Sequence, residues 1–327
     1  MTDIKQNMIN VIKKIPAFLK LIRWPNLLII IAIQLALYYV IVLRIYDTAG
    51  IQATLCNLNL YLLVSATVLV AAAGYIINDY FDIRVDRINR PESMVLGRIM
   101  QRRTGIILHQ ILSVIAVILG FYIAYRAGSW RLGLIFPMII MLLWLYSVKY
   151  KRTVIWGNIT IAVVSALVII LVWLFEFFML RQHPDDFITA APYLGMITRY
   201  FGFYALFAFL ITFIREVIKD AEDIEGDKLT GVRTLAVQMG IAVSRKVALY
   251  TSAVTSLILL YIIISFFNRG MTIAGAYFGL AVFLPLLYLI VRIVKAKSKS
   301  DFHSISVLLK IIMVAGILGL QPIAIVI

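Results

Sequence analysis

The chain has 327 residues, of which 63% are hydrophobic and 14% are charged, and its net charge is +15 at pH 7. A soluble globular domain is about half apolar and about a quarter charged, so this composition excludes that class and predicts an integral membrane protein. The single cysteine excludes an internal disulfide bond, and three scattered histidines argue against a histidine-based metal site.

The N-terminal segment is basic and mixes apolar with charged residues. Residues 1–23 contain five lysines and arginines, and the pattern over 4–23 is typical of a short amphipathic helix in the membrane interface. The first long apolar run follows directly, and no small-residue cleavage site closes it. It is therefore predicted to be the first membrane span.

Nine apolar segments are long enough to cross a membrane, since a hydrocarbon core of ~30 Å requires about 20 helical residues. The predicted spans are 24–43, 60–80, 104–125, 130–147, 154–178, 195–214, 246–267, 270–293 and 305–327. Their apolar runs are continuous, which favours helices over alternating strands. The predicted fold is an all-α polytopic membrane bundle of about nine transmembrane helices, with residues 1–327 forming one domain.

Lysines and arginines are unevenly divided between the two predicted sides of the membrane. The N-terminal side carries 25 and the opposite side carries six. The positive-inside rule then places the N-terminus in the cytoplasm of a multi-pass cell-membrane protein. The basic excess is accounted for by topology and by attraction for anionic lipid or an anionic substrate, so nucleic acid is not a predicted partner.

Two acidic rows with the same spacing follow the second and sixth spans on the predicted cytoplasmic side. The first acidic row is Asp79, Asp82 and Asp86, and the second acidic row is Asp220, Asp223 and Asp227. Spacing of i, i+3 and i+7 predicts three carboxylates on one helix face. Like charges at this spacing destabilise a helix by roughly 0.2–0.5 kcal/mol per pair, so a neutralising cation is expected.

Clustered carboxylate oxygens without nearby cysteine or histidine favour Mg²⁺ over Ca²⁺ as that cation. Mg²⁺ usually binds one or two carboxylates together with substrate phosphates. Two facing rows could therefore hold two or more ions with a diphosphate between them. Glu176, near the outer end of the fifth span, is predicted to be an interfacial carboxylate and not a catalytic one.

The flanks of both rows resemble known motifs. "NDYFDIRVDRINRP" (78–91) resembles the N-D-x-x-D-x-x-x-D motif of the UbiA superfamily of intramembrane prenyltransferases, and "DIEGD" (223–227) resembles its D-x-x-x-D motif. "LYSVKYKR" (145–152), followed by "WGN" (156–158), resembles the family segment after span 4. Within the superfamily, the flanks look most like the digeranylgeranylglyceryl phosphate synthase branch.

The resemblance implies Mg²⁺-dependent transfer of a prenyl group, with geranylgeranyl expected, from its diphosphate to a lipid acceptor at the cytoplasmic side. The implied metal ligands are Asp79, Asp82, Asp86, Asp223 and Asp227, and all of these except Asp86 are also candidate catalytic residues. Tyr146 and Lys151 correspond to a family tyrosine and lysine and are candidate catalytic residues. The candidates for binding substrate are Asn78, Arg23, Arg87, Arg90, Lys151 and Lys228.

Three alternatives remain open from the sequence. "ESMVLGR" (92–98) departs from the basic, proline-containing stretch that archaeal members of the branch tend to have, which leaves the acceptor open. It could be an aromatic ring, as in quinone synthesis, or the chain could be similar to chlorophyll synthase. A divalent-cation transporter is the alternative outside enzymes, although transport sites normally lie near the membrane midplane and not at one face.

Overall fold

A computed structural model describes residues 15–55, 57–89 and 91–325 of the chain. Over these ranges the backbone is almost entirely helical, and the only β-type pairing is an isolated bridge between Leu96 and Met100. In chain order the helices are α1 (Trp24–Ala49), α2 (Asn57–Asn89), α3 (Arg102–Arg126), α4 (Trp130–Arg152), α5 (Trp156–Leu180), α6 (Pro184–Glu222), α7 (Ile224–Thr230), α8 (Leu235–Met239), α9 (Ile241–Asn268), α10 (Thr272–Lys295) and α11 (Lys299–Ala324).

The predicted spans are confirmed as helices. Within the described residues nine helices are long and apolar enough to cross a membrane, namely α1 to α6 and α9 to α11, and each predicted span falls on one of them. The all-helical class is therefore confirmed, whereas the cytoplasmic position of the N-terminus stays a prediction.

Two helices extend well beyond the spans predicted from apolar runs. Helix α2 continues to Asn89 because no glycine or proline interrupts residues 75–89, and helical hydrogen bonds do not require apolar side chains. Helix α6 begins at Pro184, where a missing N–H does no harm, and Asp185 and Asp186 in its first turn complement the helix dipole. Helix α2 thereby contains the whole first acidic row.

Contacts group the chain into two compact units. The first comprises Met1–Ile31 and Tyr61–Tyr150, and the second comprises Ala32–Leu60 and Lys151–Ile327. The first acidic row belongs to the first unit and the second acidic row to the second unit. The single domain predicted from the sequence stays a prediction.

A small apolar cluster in the first unit fixes the approach to the first acidic row. Its buried members are Ala17, Leu21, Ile76, Val95 and Leu96. The cluster joins the helical residues 15–21 and the 94–101 segment to α2, one turn before Asp79. Part of the predicted amphipathic segment is thus helical with one buried face, while residues 4–14 lie outside the described ranges.

In the second unit, α6 contacts α5, α9 and α11. Only three residues connect α5 to α6, so the two helices form an antiparallel hairpin. The Trp173 ring stacks on Phe201 with centroids 5.9 Å apart, and its Nε1 donates a hydrogen bond to Thr198 Oγ1 at 3.0 Å. These contacts hold the long helix that carries the start of the second acidic row.

The prediction for Glu176 is wrong. Its side chain is fully buried, and its carboxylate accepts hydrogen bonds from the backbone N–H and hydroxyl of Thr54 and from the backbone N–H of Leu55. A buried carboxylate requires such donors, since it has no water to accept from. Glu176 therefore fastens the segment between α1 and α2 and does not lie at a solvated interface.

Two glycines allow α3 and the start of α4 to approach closely. A Cβ atom on Gly120 would overlap the ring of Phe136, and one on Gly133 would overlap the ring of Phe121. Small residues of this kind are enriched where membrane helices meet, because association there depends on close packing.

We expect Gly120→Ala to lower the thermal unfolding midpoint in detergent, because the added methyl group overpacks a tight contact at a cost of about 1–3 kcal/mol. Gly202→Ala is the matched control, since a Cβ there meets nothing within 4 Å and alanine has the higher helix propensity. Circular dichroism melts of both variants check this. Equal midpoints for the two would contradict the packing argument.

Candidate active site

The first acidic row lies on one continuous helix, as predicted. Asp79, Asp82 and Asp86 all fall within α2, near its C-terminal end. Asp82 is 6% exposed, while Asp79 and Asp86 are half-buried. Three carboxylates at helical spacing in a largely buried position require neutralisation by neighbours or by a cation.

Asn78 provides a second kind of oxygen beside this row. Its Nδ2 donates a hydrogen bond to Asp82 Oδ2 at 2.7 Å, which fixes the orientation of the amide. The amide oxygen, Oδ1, is buried and has no hydrogen-bond partner among the described residues. A buried carbonyl oxygen without a donor is unfavourable unless something else binds it.

Arg23 reaches the same row from the turn before α1. Its Nη2 donates to Asp79 Oδ1 at 2.7 Å, and its guanidinium carbon lies 4.9 Å from the centroid of the Tyr75 ring. Burial lowers the pKa of this guanidinium, but the attraction of Asp79, Tyr75 and Asp82 outweighs burial and raises the pKa above its ordinary value. Arg23 therefore carries its full charge beside Asp79.

The backbone of Arg23 is strained. Its φ of 52° makes it the only non-glycine residue with positive φ among those described. This left-handed conformation costs about 1–3 kcal/mol for a residue with a side chain and persists only where the surroundings enforce it. Sites of this kind cluster at functional positions, so the strain marks Arg23 independently of its contacts.

The second acidic row does not lie on one helix face, and that prediction is wrong. Helix α6 ends at Glu222, Asp223 adopts φ −97° and ψ 8°, and α7 then carries Asp227. Aspartate has a low helix propensity, and the five acidic residues between 220 and 227 repel one another at helical spacing, so the backbone breaks. Asp227 is 5% exposed and Asp223 is half-buried.

Asn158 is a site residue that the sequence argument did not find. It lies in the "WGN" segment at the start of α5, is 4% exposed, and its Nδ2 donates to Asp220 Oδ2 at 2.9 Å. Asp220 thus has an asparagine partner, as Asp82 does. The signal in the sequence was a polar residue, Asn158, near the start of an otherwise apolar span.

Further ion pairs surround the second acidic row. Glu216 lies 2.9 Å from Arg215 and 4.0 Å from Lys219, measured between charged atoms. Glu222 contacts His303 Nδ1 at 3.1 Å. The end of α6 therefore carries both signs of charge close together.

The remaining predicted site residues lie in different settings. Tyr146 is buried on α4, and Lys151 is half-buried in the short 3-10 turn Tyr150–Arg152. Arg87 and Lys228 are exposed, each in the last turn of its helix. Arg90 lies outside the described residues. In the first unit, the structure thus brings Arg23, Asn78, Asp79 and Asp82 into one connected group.

The donor set fits a hard cation. Among the residues described, no three Asp, Glu, His or Cys side chains form a metal site by themselves. The first row nevertheless offers carboxylate oxygens together with the unpartnered Asn78 Oδ1. Mg²⁺ prefers oxygen and keeps several positions for water and phosphate, so an incomplete protein set of this kind suits it.

The nine apolar helices are those of a polytopic membrane protein, and comparison with known proteins gives its family. The model of the UbiA prenyltransferase family matches residues 48–312. The chain therefore belongs to the UbiA prenyltransferase family, which confirms the resemblance inferred from the two motifs.

Two relatives with similar sequences are both digeranylgeranylglyceryl phosphate synthases. The chain is 31% identical over 182 residues to a digeranylgeranylglyceryl phosphate synthase of Thermococcus sibiricus, covering 56% of this chain and 57% of that protein. It is 29% identical over 299 residues to a digeranylgeranylglyceryl phosphate synthase of Saccharolobus solfataricus, covering 86% and 94%. The first match thus spans less than two thirds of the relative's length.

A solved structure shares the fold. The structure of a UbiA homologue from Archaeoglobus fulgidus, bound to GPP and Mg²⁺, matches with a TM-score of 0.53 and 14% identity, over 93% of this chain and 99% of that chain. At this identity the likeness establishes the fold alone.

We expect Asn158→Asp to destabilise the protein more than Asn158→Ala does. Alanine removes a hydrogen bond to a carboxylate, worth about 1.5–3 kcal/mol, whereas aspartate places a second negative charge against Asp220. Thr160→Ala is the control, since that hydroxyl bonds only the Trp156 carbonyl of its own helix. Thermal unfolding in EDTA measures the order. A more stable Asp variant would show that shape, and not charge, governs this contact.

Proposed function

We propose that this chain transfers a prenyl group, geranylgeranyl, from its diphosphate to geranylgeranylglyceryl phosphate in ether-lipid synthesis, with Mg²⁺ as cofactor. Membership of the UbiA prenyltransferase family supports the reaction class. The names of the relatives in Thermococcus and Saccharolobus support the lipid acceptor, and the homologue solved with GPP and Mg²⁺ supports the donor class and the metal.

The observation that carries the proposal is the donor group on α2. Asp79, Asp82 and the unpartnered Asn78 Oδ1 would hold one Mg²⁺, with Asp86 one helical turn further on. Asp223 and Asp227 would hold another from the second row. When bound, Mg²⁺ neutralises the diphosphate and stabilises the charge that develops on the leaving group.

The reaction breaks the bond between the first prenyl carbon and the diphosphate oxygen. The electron pair leaves with pyrophosphate, and the allylic carbon is left with positive charge. The acceptor hydroxyl oxygen then bonds to this carbon, and its proton passes to the released pyrophosphate. Exclusion of water by the apolar bundle prevents hydrolysis of the cation.

Basic and aromatic side chains complete the proposal. Arg23 and Lys151 bind diphosphate oxygens, and the exposed Arg87 and Lys228 attract the anionic substrate. Asn158 holds Asp220 in position through its hydrogen bond. Tyr146, buried on α4, stabilises the allylic cation.

The predicted topology places this chemistry at the cytoplasmic face of the cell membrane. The excess of lysine and arginine on that side, 25 against six, supports the orientation. Donor and acceptor both carry isoprenoid chains, so both would reach the enzyme through membrane lipid.

We expect Asp82→Ala and Asp227→Ala each to reduce turnover of labelled geranylgeranyl diphosphate by about 100-fold or more, as losses of transition-state charge stabilisation do. Exposed carboxylates supply the controls: Glu92→Ala, and Glu225→Ala within α7 itself. EDTA should abolish wild-type activity, and added Mg²⁺ should restore it. Full turnover in both aspartate variants, or activity that survives EDTA, would refute the metal scheme.

We expect membranes containing the protein to prenylate geranylgeranylglyceryl phosphate and not hydroxybenzoate or dihydroxynaphthoate. The measurement is mass spectrometry of the lipid made from each acceptor with the same labelled donor. Product with an aromatic ring alone would leave the reaction class intact and replace the acceptor. Divalent-cation flux in proteoliposomes without prenyl transfer would favour a transporter.

A further inference from the structure

Arg23 forms a left-handed joint between two helices. The backbone N–H of Arg23 bonds to the carbonyl of Lys20 at 3.0 Å, and its carbonyl accepts the N–H of Asn26 at 2.8 Å. One residue therefore ends the 15–21 helix and begins α1. Glycine or asparagine is the usual choice at such a position, because neither is strained there as other side chains are.

Packing before the joint and a proline after it restrict the backbone around Arg23. Leu21 is fully buried in the cluster with Ile76, and Pro25 sits in the first turn of α1, where its restricted φ fits a helix. Ile76 and Asp79 are three residues apart on α2. The packing of Leu21 against Ile76 therefore brings the Arg23 guanidinium close to Asp79.

The positively charged side chain of Arg23 contacts a carboxylate and the face of an aromatic ring, as a bound cation would. Its guanidinium donates to one oxygen of Asp79 at 2.7 Å and lies over the face of Tyr75, one turn earlier on α2. On the residue before Asp79, the buried oxygen of Asn78 has no donor among the described side chains. The arginine thus neutralises the first carboxylate of the row and leaves the neighbouring amide oxygen unbound.

We propose that Arg23 is a placeholder cation, which neutralises Asp79 in the metal-free enzyme and is displaced to a diphosphate oxygen when Mg²⁺ and substrate enter. This inference rests on the proposed function, because it requires that Asp79 be a metal ligand. Arg23 is then more than a phosphate contact: it competes with the metal for Asp79.

The exchange makes metal and diphosphate binding cooperative. Mg²⁺ alone must break the Arg23–Asp79 ion pair and leave the guanidinium without its carboxylate. A diphosphate supplies that guanidinium with new oxygens, which its planar fork of donors fits well. By reciprocity of binding free energies, Mg²⁺ also improves the affinity for diphosphate. The metal-free row is meanwhile protected from binding a cation without substrate.

The experiment separates the charge of Arg23 from its backbone. Arg23→Asn removes the charge but keeps a residue that tolerates the left-handed conformation. Arg102→Gln is the matched control, since Arg102 is exposed, lies 4.2 Å from the Tyr80 ring centroid in the same unit, and also contributes one positive charge. Calorimetry in detergent measures binding of Mg²⁺ alone, and then of inorganic pyrophosphate at saturating Mg²⁺.

Arg23→Asn should bind Mg²⁺ alone about threefold to tenfold more tightly than the wild type, because a partly exposed competing ion pair has been removed. The same variant should bind pyrophosphate more weakly at saturating Mg²⁺. Arg102→Gln should change Mg²⁺ affinity much less. A merely structural arginine would leave Mg²⁺ affinity unchanged or lower it on removal.

A double-mutant cycle in EDTA tests the metal-free contact directly. Arg23→Asn and Asp79→Asn should each lower the thermal midpoint, and the double variant should lose less than the sum. The placeholder role is overturned if Arg23→Asn binds Mg²⁺ no more tightly than the wild type, or if the losses in the cycle are additive. Either result leaves the proposed function intact. A wild type that binds no Mg²⁺ even with pyrophosphate present overturns the proposed function with it.

Discussion

Negative charge at the edge of a hydrocarbon layer must be matched by donors or cations, and the described site follows from this constraint. The first aspartate row lies near the end of α2, and the second begins at the end of α6, where desolvation makes an unmatched carboxylate costly. The protein meets the requirement twice with an asparagine: Asn78 donates to Asp82, and Asn158 donates to Asp220. Positive charge is supplied to Asp79 by Arg23 and to Glu216 by Arg215 and Lys219.

The same constraint explains polar residues far from the rows. The carboxylate of Glu176 accepts three hydrogen bonds from Thr54 and Leu55, and the amide of Gln34 donates to the carbonyl of Val168 at 2.7 Å. Without water in the bilayer, each such group needs a partner within the protein. Glu176 and Gln34 therefore join segments that are distant in sequence.

The sequence predicted the helices well because apolar length is a direct consequence of bilayer thickness. It also identified the first acidic row, since α2 continues through it without a helix breaker. It failed at Asp223, because the repulsion among neighbouring carboxylates was expected to be relieved by a cation, whereas the helix ends there. Asn158 and the buried role of Glu176 depend on contacts 62 and 122 residues apart, which no local pattern contains.

The interruption at Asp223 gives the two rows different mechanical properties. In α2 the helical rise fixes the separation of Asp79 and Asp86 at ~10.5 Å along the helix axis. Between Asp220 and Asp227 the spacing depends on two backbone dihedral angles at a single residue outside either helix. The carboxylate spacing of the second row therefore depends on the backbone at Asp223, whereas a continuous helix sets that of the first row.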